Sequence, residues 1–596
     1  MAPASDIDLF APFERDIILE VRTSKMKTMP GLSIQTGIDK NLRDGRIPVS
    51  MLGLEGDEHD LTFHGGRDKA IHGYCSSHYS KWREEFPEAA TRFKPGGFGE
   101  NFVTAQMNER NVCIGDIMSV GDDGLLLQVS LPRQPCFKLN HRFQLKNFAP
   151  NTYKLSRTGW YYRVLRPGSV QAGDEIRLVE RKWPQWTIER VQEYLHRTQN
   201  DAAMNEELAR IADMGDESRK AFERRVAKRQ AKQEARAGRK TTTTAPPKWR
   251  DYRIAEKKTQ TPRVISLVLE ALDPDPKIDG KKAPLLLGAH ARLRLPNGLV
   301  RTYSVVDGCA DRFELGVALA DPSRGGSAYL HGTAREGDVL QVARRIIAAT
   351  TRAVALANAA SHHVFLAAGI GITAFLPLIE RARRINYDVA LHWAVRNDDD
   401  VPFRERVEAL ARAGDADADA GKKEENSHAV VDLRMYDASR ARRMDIPAIF
   451  ATLPWNAHVY VCGPDRMMRE ARREARERGL GPGDVHYEAF SSSSAGRDGD
   501  GDEPPFEAVV RNRGGRVVRV EEGETLLEAL RRELEDEDDE DVVPSSCEVG
   551  NCGTCKVLVK SGEVEHRGTG LGEEEKREGA MLSCVSRGVG RIVVEI

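Results

Sequence analysis

Long hydrophobic runs are missing from this chain. No stretch approaches the roughly 18 apolar residues of a membrane span, so a membrane-embedded protein is not expected. Charge of one sign is missing too. The 89 basic and 91 acidic residues leave a formal net charge of −2, and no bulk field favours nucleic acid as a partner. The first ten residues carry Asp6 and Asp8 and do not resemble a secretory or mitochondrial leader, which points to the cytosol. Cysteine is sparse for a disulfide framework: nine in 596 residues fit a reducing compartment better.

What is present is ordinary in bulk and informative in detail. Hydrophobic content of 40% and charge of 30% suit a soluble globular protein, and the length predicts about three to five domains. Four of the cysteines form a pattern. Cys547, Cys552 and Cys555 follow a C-x4-C-x2-C spacing, and Cys584 supplies a distant fourth thiol. That is the ligand pattern of a plant-type [2Fe–2S] cluster, in which soft thiolates converge on two irons from a tight loop. Gly550 and Gly553 suit that loop because they tolerate backbone angles that a Cβ forbids. Zinc is the weaker alternative, since zinc knuckles favour paired C-x2-C spacings. A one-electron carrier needs a donor and an acceptor, and the rest of the chain offers both.

Residues 15–180 alternate short β-type runs with glycine, which argues for a barrel or sandwich. Two polar glycine-rich clusters interrupt them, one holding Gly56-Asp57, His64, Arg67, Asp68 and Lys69, the other Gly99, Glu100 and Asn101. Such turns expose N–H groups and positive charge, suiting an anion such as phosphate, although solvated loops would look alike. Cys136 lies between Pro135 and Phe137 on a stiffened stretch, with Arg133 and Lys138 placed to favour its thiolate. The combination G-L-x-G-D, F-H-G-G-x-D-K-A, G-x-x-G-E-N-F and P-C-x-K-L resembles a MOSC domain of the bacterial YiiM type. The resemblance implies a β-barrel that binds a molybdenum cofactor with Cys136 on the metal, and with His64, Arg67, Asp68, Lys69, Glu100 and Asn101 as contacts to pterin or phosphate. Relatives of this type reduce N-hydroxylated bases, while other MOSC proteins are suspected of carrying sulfur.

Thr187 is placed to cap a helix whose Ile188, Val191 and Leu195 share one face. Residues 183–240 resemble the three-helix appendage of YiiM-type barrels and become strongly basic from Arg219 before the boundary at Thr241 to Pro247. Residues 248–346 read as a barrel in which Arg301 and Tyr303 share a strand face, followed by Gly325, Gly326 and Ser327 ahead of a short helix. Residues 352–490 read as a parallel α/β nucleotide domain: a strand turns through Gly369, Gly371 and Thr373 into a helix, and Cys462, Gly463 and Pro464 open another. Phe490 closes this segment, in an E-x-F motif, and is a candidate cofactor contact. The ordered set R-x-Y-S, R-G-G-S, G-I-G-I-T, C-G-P and E-x-F is similar to the phthalate dioxygenase reductase branch of the ferredoxin reductase superfamily. That branch implies FMN on Arg301, Tyr303, Ser304 and Gly325 to Ser327, with NAD(P)H beneath Gly369 to Thr373 and Cys462 to Pro464. Ala374 stands where the branch has proline, and residues 344–349 lack its N-F-x-L.

A linker at 491–505 leads to a β-grasp ferredoxin at 506–596. Before the cluster loop, eight of the nine residues from Glu533 to Asp541 are acidic. That run is expected to be solvated or to dock on the basic 219–240 segment. The expected activity is an oxidoreductase passing electrons from NAD(P)H through FMN and the [2Fe–2S] cluster to molybdenum, where a small N-hydroxylated substrate is reduced. The alternatives are a reductase for an external electron acceptor such as an oxygenase, and a carrier of molybdenum cofactor or sulfur.

Overall fold

The computed structural model describes the chain except residues 1–11, 61–63, 239–248, 275–287, 322, 324, 344–346, 349–359, 413–429, 482, 489, 491–503, 535–542, 544–549, 551–552, 554, 569–570 and 572. The chain divides near residue 245 into two compact units. All but the first two residues of the acidic run lie outside the described residues.

The first unit is built on a closed sheet. Its strands are β1 (Arg15–Thr23), β2 (Asn41–Leu42), β3 (Ile71–Cys75), β4 (Phe102–Thr104), β5 (Ile117–Val120), β6 (Leu125–Pro132), β7 (Trp160–Arg166) and β8 (Glu175–Glu180). They run in the order β8-β5-β6-β7-β3-β4-β1-β2, and pairing of β1 with β8 closes the barrel. Closure follows from the sequence pattern: inward Ile18, Val21, Met118, Val120, Leu127 and Val129 are fully buried, and a barrel leaves no unpaired edge between those strands. A second, aromatic cluster of Trp82, Phe93, Phe98, Phe143 and Phe148 clamps helix α1 (Phe137–Phe143). Phe93 and Phe143 stack at 4.4 Å, so the helix that starts beside Cys136 is held by large rigid rings. Helices α2 (Ile188–Gln192), α3 (Ala202–Ala209) and α4 (Asp216–Gly238) follow the barrel. Thr187 caps α2 by accepting from Arg190 N, as its hydroxyl predicts.

The second unit opens with another closed barrel: β9 (Trp249–Thr261), β10 (Val264–Ala271), β11 (Ala289–Arg294), β12 (Val300–Cys309), β13 (Arg312–Ala318) and β14 (Val339–Ala343), ordered β12-β13-β10-β9-β14-β11 with β11 returning to β12. A five-stranded parallel sheet follows, β15 (His362–Ala368), β16 (Asp388–Val395), β17 (Asp432–Asp437), β18 (Ala457–Cys462) and β19 (Val485–Tyr487), in the order β17-β16-β15-β18-β19. Alternate residues of β15 feed two cores: Val364 and Leu366 one, Phe365 and Ala367 the other. Both faces of a parallel sheet are covered this way, which is why the strand reads as a continuous apolar run. Helices α5 (Ile372–Arg384) and α6 (Asp465–Glu477) start where β15 and β18 end.

The last segment is a mixed sheet of β20 (Phe506–Val510), β21 (Arg516–Val520), β22 (Lys556–Glu565), β23 (Ala580–Leu582) and β24 (Arg587–Glu595), ordered β21-β20-β24-β22-β23 with β20 and β24 parallel. Helix α7 (Leu526–Leu534) buries Leu526, Leu527 and Leu530. The fold class is multidomain α/β and α+β, with two β-barrels, a parallel nucleotide-type sheet and a ferredoxin-type sheet.

Candidate functional site

In the first unit, Pro132 ends β6 and Cys136 takes an extended conformation at the start of α1, its carbonyl accepting from Leu139 N at 3.0 Å. The thiol is half-buried. The same barrel carries a cleft whose lining includes Lys40, His59, His64, His72, Arg133 and Lys138, while Cys136 is not among its lining residues. Most of its charges are already paired. Lys40 meets Asp57 at 2.5 Å and Lys138 meets Asp60 at 3.0 Å, all four side chains being nearly inaccessible. Lys138 is thereby drawn to Asp60 rather than left to act on Cys136 alone.

The imidazoles are neutral near pH 7. Burial, reinforced by Arg133, takes His72 down to about 3. Burial, with Lys138, Lys69 and Arg133 adding to it, holds His64 well below the usual range. Arg133 stands apart: it is 3% exposed, and its Nη1 has no hydrogen-bond partner. A buried guanidinium N–H left unmade costs about 1–3 kcal/mol. A cleft wall carrying such a group fits an anionic ligand such as a phosphate-bearing pterin.

The loop residues singled out from the sequence go to several places. His64 lines the cleft, its Nδ1 3.4 Å from the Tyr161 hydroxyl, and Asn101 lines it too. Asn101 also bridges Asp57 Oδ2 (2.7 Å), Arg22 O (3.0 Å) and His72 N (3.0 Å). Glu100 is fully buried and accepts from the Tyr79 hydroxyl and from Gly96 and Phe98 N–H groups. Asp68 pairs with Arg163 at 2.8 Å and accepts from Asp216 N at 3.0 Å, while Lys69 pairs with Glu217. These last two fasten the start of α4 to the barrel. Arg67 is exposed.

In the second unit, Arg301 and Tyr303 lie on β12, and Gly325, at φ +89°, turns the chain into the helical turn Gly326–Ala328. A Cβ on Gly326 would stand 2.7 Å from Arg301 Cγ, so the R-x-Y-S and R-G-G-S motifs meet here. The Ser327 hydroxyl accepts from Ala320 N at 3.1 Å. Burial pushes the Tyr303 phenol up to about 12, so it stays protonated.

The glycine turn of the nucleotide domain is built on close backbone approach. A Cβ on Gly371 would fall 2.3 Å from the Cys462 carbonyl oxygen, and one on Gly463 would fall 2.6 Å from Met467 Sδ. Trp393 Nε1 donates to Gly369 O at 3.1 Å, and Thr373 Oγ1 to Ile370 O at 2.8 Å. Pro464 precedes α6, and Phe490 is 44% exposed. Facing Cys462 is Glu488, which is 4% exposed and accepts from Ser304 Oγ at 3.3 Å. Burial, then the Glu488 charge, hold the Cys462 thiol well above its usual range. The E-x-F motif drew attention to Glu488; its second partner, His290, left no signal in the sequence because 198 residues separate them. The half-buried phenol, the glycine cradle and Glu488 Oε2, a buried oxygen without a partner, fit a flavin with a dinucleotide beside it.

At the cluster loop, Cys555 and Cys584 are almost fully buried with their sulfurs 3.0 Å apart. Ser583 N and Oγ both bond Cys555 O, which fixes the two chain segments together. Gly550 and Gly553 take φ of +75° and +69°, the left-handed geometry their motif called for. Cys547 and Cys552 lie outside the described residues. Two convergent buried thiols next to a left-handed loop fit an iron–sulfur cluster.

Four family models match in chain order: a MOSC domain (60–177), a YiiM-like three-helix domain (186–229), an oxidoreductase NAD-binding domain (365–473) and a 2Fe-2S iron-sulfur cluster binding domain (509–588). A protein called "Reductase" from Gibberella moniliformis is 32% identical over 589 residues, covering 97% of this chain and 95% of that one. The chain belongs to a family of MOSC–reductase fusions. Its front part is 40% identical over 164 residues to "Protein YiiM" of Escherichia coli, 27% of this chain and 72% of that one. Its rear part is 34% identical over 310 residues to "Phenoxybenzoate dioxygenase subunit beta" of Ectopseudomonas oleovorans, 51% of this chain and 85% of that one. The MOSC–reductase fusion is thus an NAD(P)H-dependent oxidoreductase with flavin, NAD and [2Fe–2S] domains. Among the described residues no helix is long and apolar enough to cross a membrane.

Proposed function

We propose that the fusion is a self-contained reductase whose electrons, taken from NAD(P)H, end at a molybdenum cofactor in the MOSC cleft and reduce an N-hydroxylated small molecule. When bound, the cofactors supply hydride acceptance, one-electron relay and N–O reduction; the chain binds, orients and tunes them. Arg301, Tyr303, Ser304 and Gly325 to Ser327 would hold FMN, and Gly369 to Thr373 with Cys462 to Pro464 would seat the dinucleotide. Cys555 and Cys584, with Cys547 and Cys552, would ligate the cluster. Cys136 would grip molybdenum, with His64 and Asn101 in the cleft wall and Arg133 taking the cofactor's phosphate. Arg67, Asp68, Lys69 and Glu100 would act at a distance, by shaping the loops. The observation that carries this reading is Arg133, a buried cation with an unmade hydrogen bond in the cleft wall, three residues before Cys136 in the chain. Joining donor and acceptor in one chain raises their effective concentration toward about millimolar.

The test is metal analysis followed by NADH oxidation with an N-hydroxylated purine, for the parent and Cys136→Ala. Molybdenum in the parent, and loss of purine-dependent turnover with reduction of a dye acceptor kept in the variant, is the expected result. A second reading, a reductase serving a separate oxygenase, is favoured by the dioxygenase-subunit name of one relative. It predicts undiminished partner reduction after Cys136→Ala. Molybdenum without any turnover would favour the carrier alternative.

A further inference from the structure

The reductase crevice contains a buried carboxylate with an unusual partner. In the register between β11 and β12, His290 stands directly opposite Ser304. Both reach one oxygen of Glu488: His290 Nε2 at 2.8 Å and Ser304 Oγ at 3.3 Å. Glu488 comes from the far side of the crevice, just after β19, where its N–H is tied to Val461 O at 2.9 Å. Its other carboxylate oxygen is buried with no hydrogen-bond partner. A carboxylate this buried needs a counterpart, and in such places a lysine or arginine would give a fixed charge. The barrel supplies an imidazole instead, and the His290 side chain remains 16% exposed, so the pair spans from interior to solvent.

We propose that His290 is a positioning residue of the reductase site, holding the Glu488 carboxylate on Ser304 and linking that carboxylate to solvent protons. This rests on the reductase reading of the crevice. Hydride transfer from a dihydronicotinamide to a flavin takes up one proton, and removal of two electrons from the reduced flavin releases two. Protons therefore cross this buried region twice per cycle, inward and outward, while hydride and electrons travel by other routes. An imidazole passes a proton by receiving it on one ring nitrogen and releasing it from the other, which neither lysine nor glutamine does. Among the described residues, the Cys462 thiol also faces Glu488, and burial with the Glu488 charge keeps it protonated. It does not compete for the proton.

The experiment uses the full chain with bound flavin, in parent, His290→Gln and His290→Leu forms. Reduction by NADH and re-oxidation by ferricyanide are followed by stopped flow in H₂O and D₂O. His290→Leu is expected to slow proton-coupled steps at least about tenfold, with recovery on adding imidazole. His290→Gln, which can still donate to Glu488, is expected to keep the parent's KM for NADH but to need imidazole for full rate. A readout independent of turnover is the ¹⁵N signal of the His290 imidazole in histidine-labelled protein, which should move in Glu488→Gln. Parent rates in both variants, or slow rates that imidazole leaves untouched, overturn the inference, as does an imidazole signal indifferent to Glu488→Gln. If His290→Leu does not fold, His290→Gln and the NMR signal decide alone. Failure of NADH to reduce the flavin of the parent protein would instead sink the reductase reading.

Discussion

The two units make their binding space from opposite materials. The MOSC cleft is walled by paired charges, Lys40 on Asp57 and Lys138 on Asp60, with Arg133 left over. The reductase crevice is walled by backbone: Gly371 lies against the Cys462 carbonyl, and Gly326 lies under Arg301. Its buried carboxylate is met by an imidazole and a hydroxyl rather than by a fixed cation. The difference teaches what each place is shaped for. Fixed ion pairs neutralise one another and leave one cation to set the sign of the cleft, which suits a compact anion. Glycine walls let flat rings lie against main chain, where a Cβ would hold them off.

The comparison breaks most visibly at Lys40. Replacing it by methionine leaves Asp57, whose side chain is fully inaccessible, with N–H donors from Ser24 and Asn101 but without its lysine. Stranding a buried carboxylate costs about 3–5 kcal/mol. Chemical denaturation of Lys40→Met should show that loss in the transition of the first unit, and Lys40→Met with Asp57→Leu should recover much of it. A cost under about 1 kcal/mol would mean that the pair is not what holds the wall.

A smaller effect is expected at the glycines, and it should differ between two of them. An alanine at 371 would meet main chain, Cys462 O at 2.3 Å, which has no rotamer to yield. Overpacking of that kind costs about 1–3 kcal/mol, so KM for NADH should rise roughly tenfold or more in Gly371→Ala. At 326 the obstacle is Arg301 Cγ at 2.7 Å, part of a flexible side chain. Flavin content of Gly326→Ala, read from its absorbance, should fall only about two- to threefold, since a side chain can shift for under about 1.5 kcal/mol. Equal losses in both would contradict the distinction between backbone and side-chain walls.

The same distinction explains what could be read in advance. The cluster loop was legible because its motif states a backbone constraint: Gly550 and Gly553 are left-handed as their positions demand, and Cys555 and Cys584 converge. The parallel strand at His362–Ala368 was legible because a strand buried on both faces must be continuously apolar. Where a side chain goes was much less legible. Glu100 and Asp68 sit in glycine-rich loops like His64, yet one stitches backbone N–H groups and the other pins α4. An acidic residue in a turn carries no local sign of which partner it meets, and those partners lie 4 and 148 residues away. The pairing of His290 with Glu488 was hidden by a separation of 198 residues, and nothing local marked the spare bond of Arg133.

The smallest effect tests how much of the first unit's dependence on ion pairs is due to burial. Asp39 is paired with Lys27 and Arg142, each at 2.7 Å, but remains 45% exposed. Burial alone would raise its carboxyl. The hydrogen bonds from Lys27 and Arg142 outweigh that and hold it at about 2, against an ordinary 3.8. A carboxyl lowered on folding contributes stability that is fully present above about pH 4 and is lost as pH falls toward 2. Solvent screening limits the contribution to less than about 1 kcal/mol at this exposure. The melting temperature of Asp39→Asn should therefore trail the parent slightly at pH 7, and the gap should narrow at pH 3. A gap of the same size at both values would assign the effect to the shape of the side chain rather than its charge. A gap at pH 7 as large as that of Lys40→Met would show that pairing at the surface matters as much as pairing inside, and the contrast between the two kinds of wall would then no longer rest on burial.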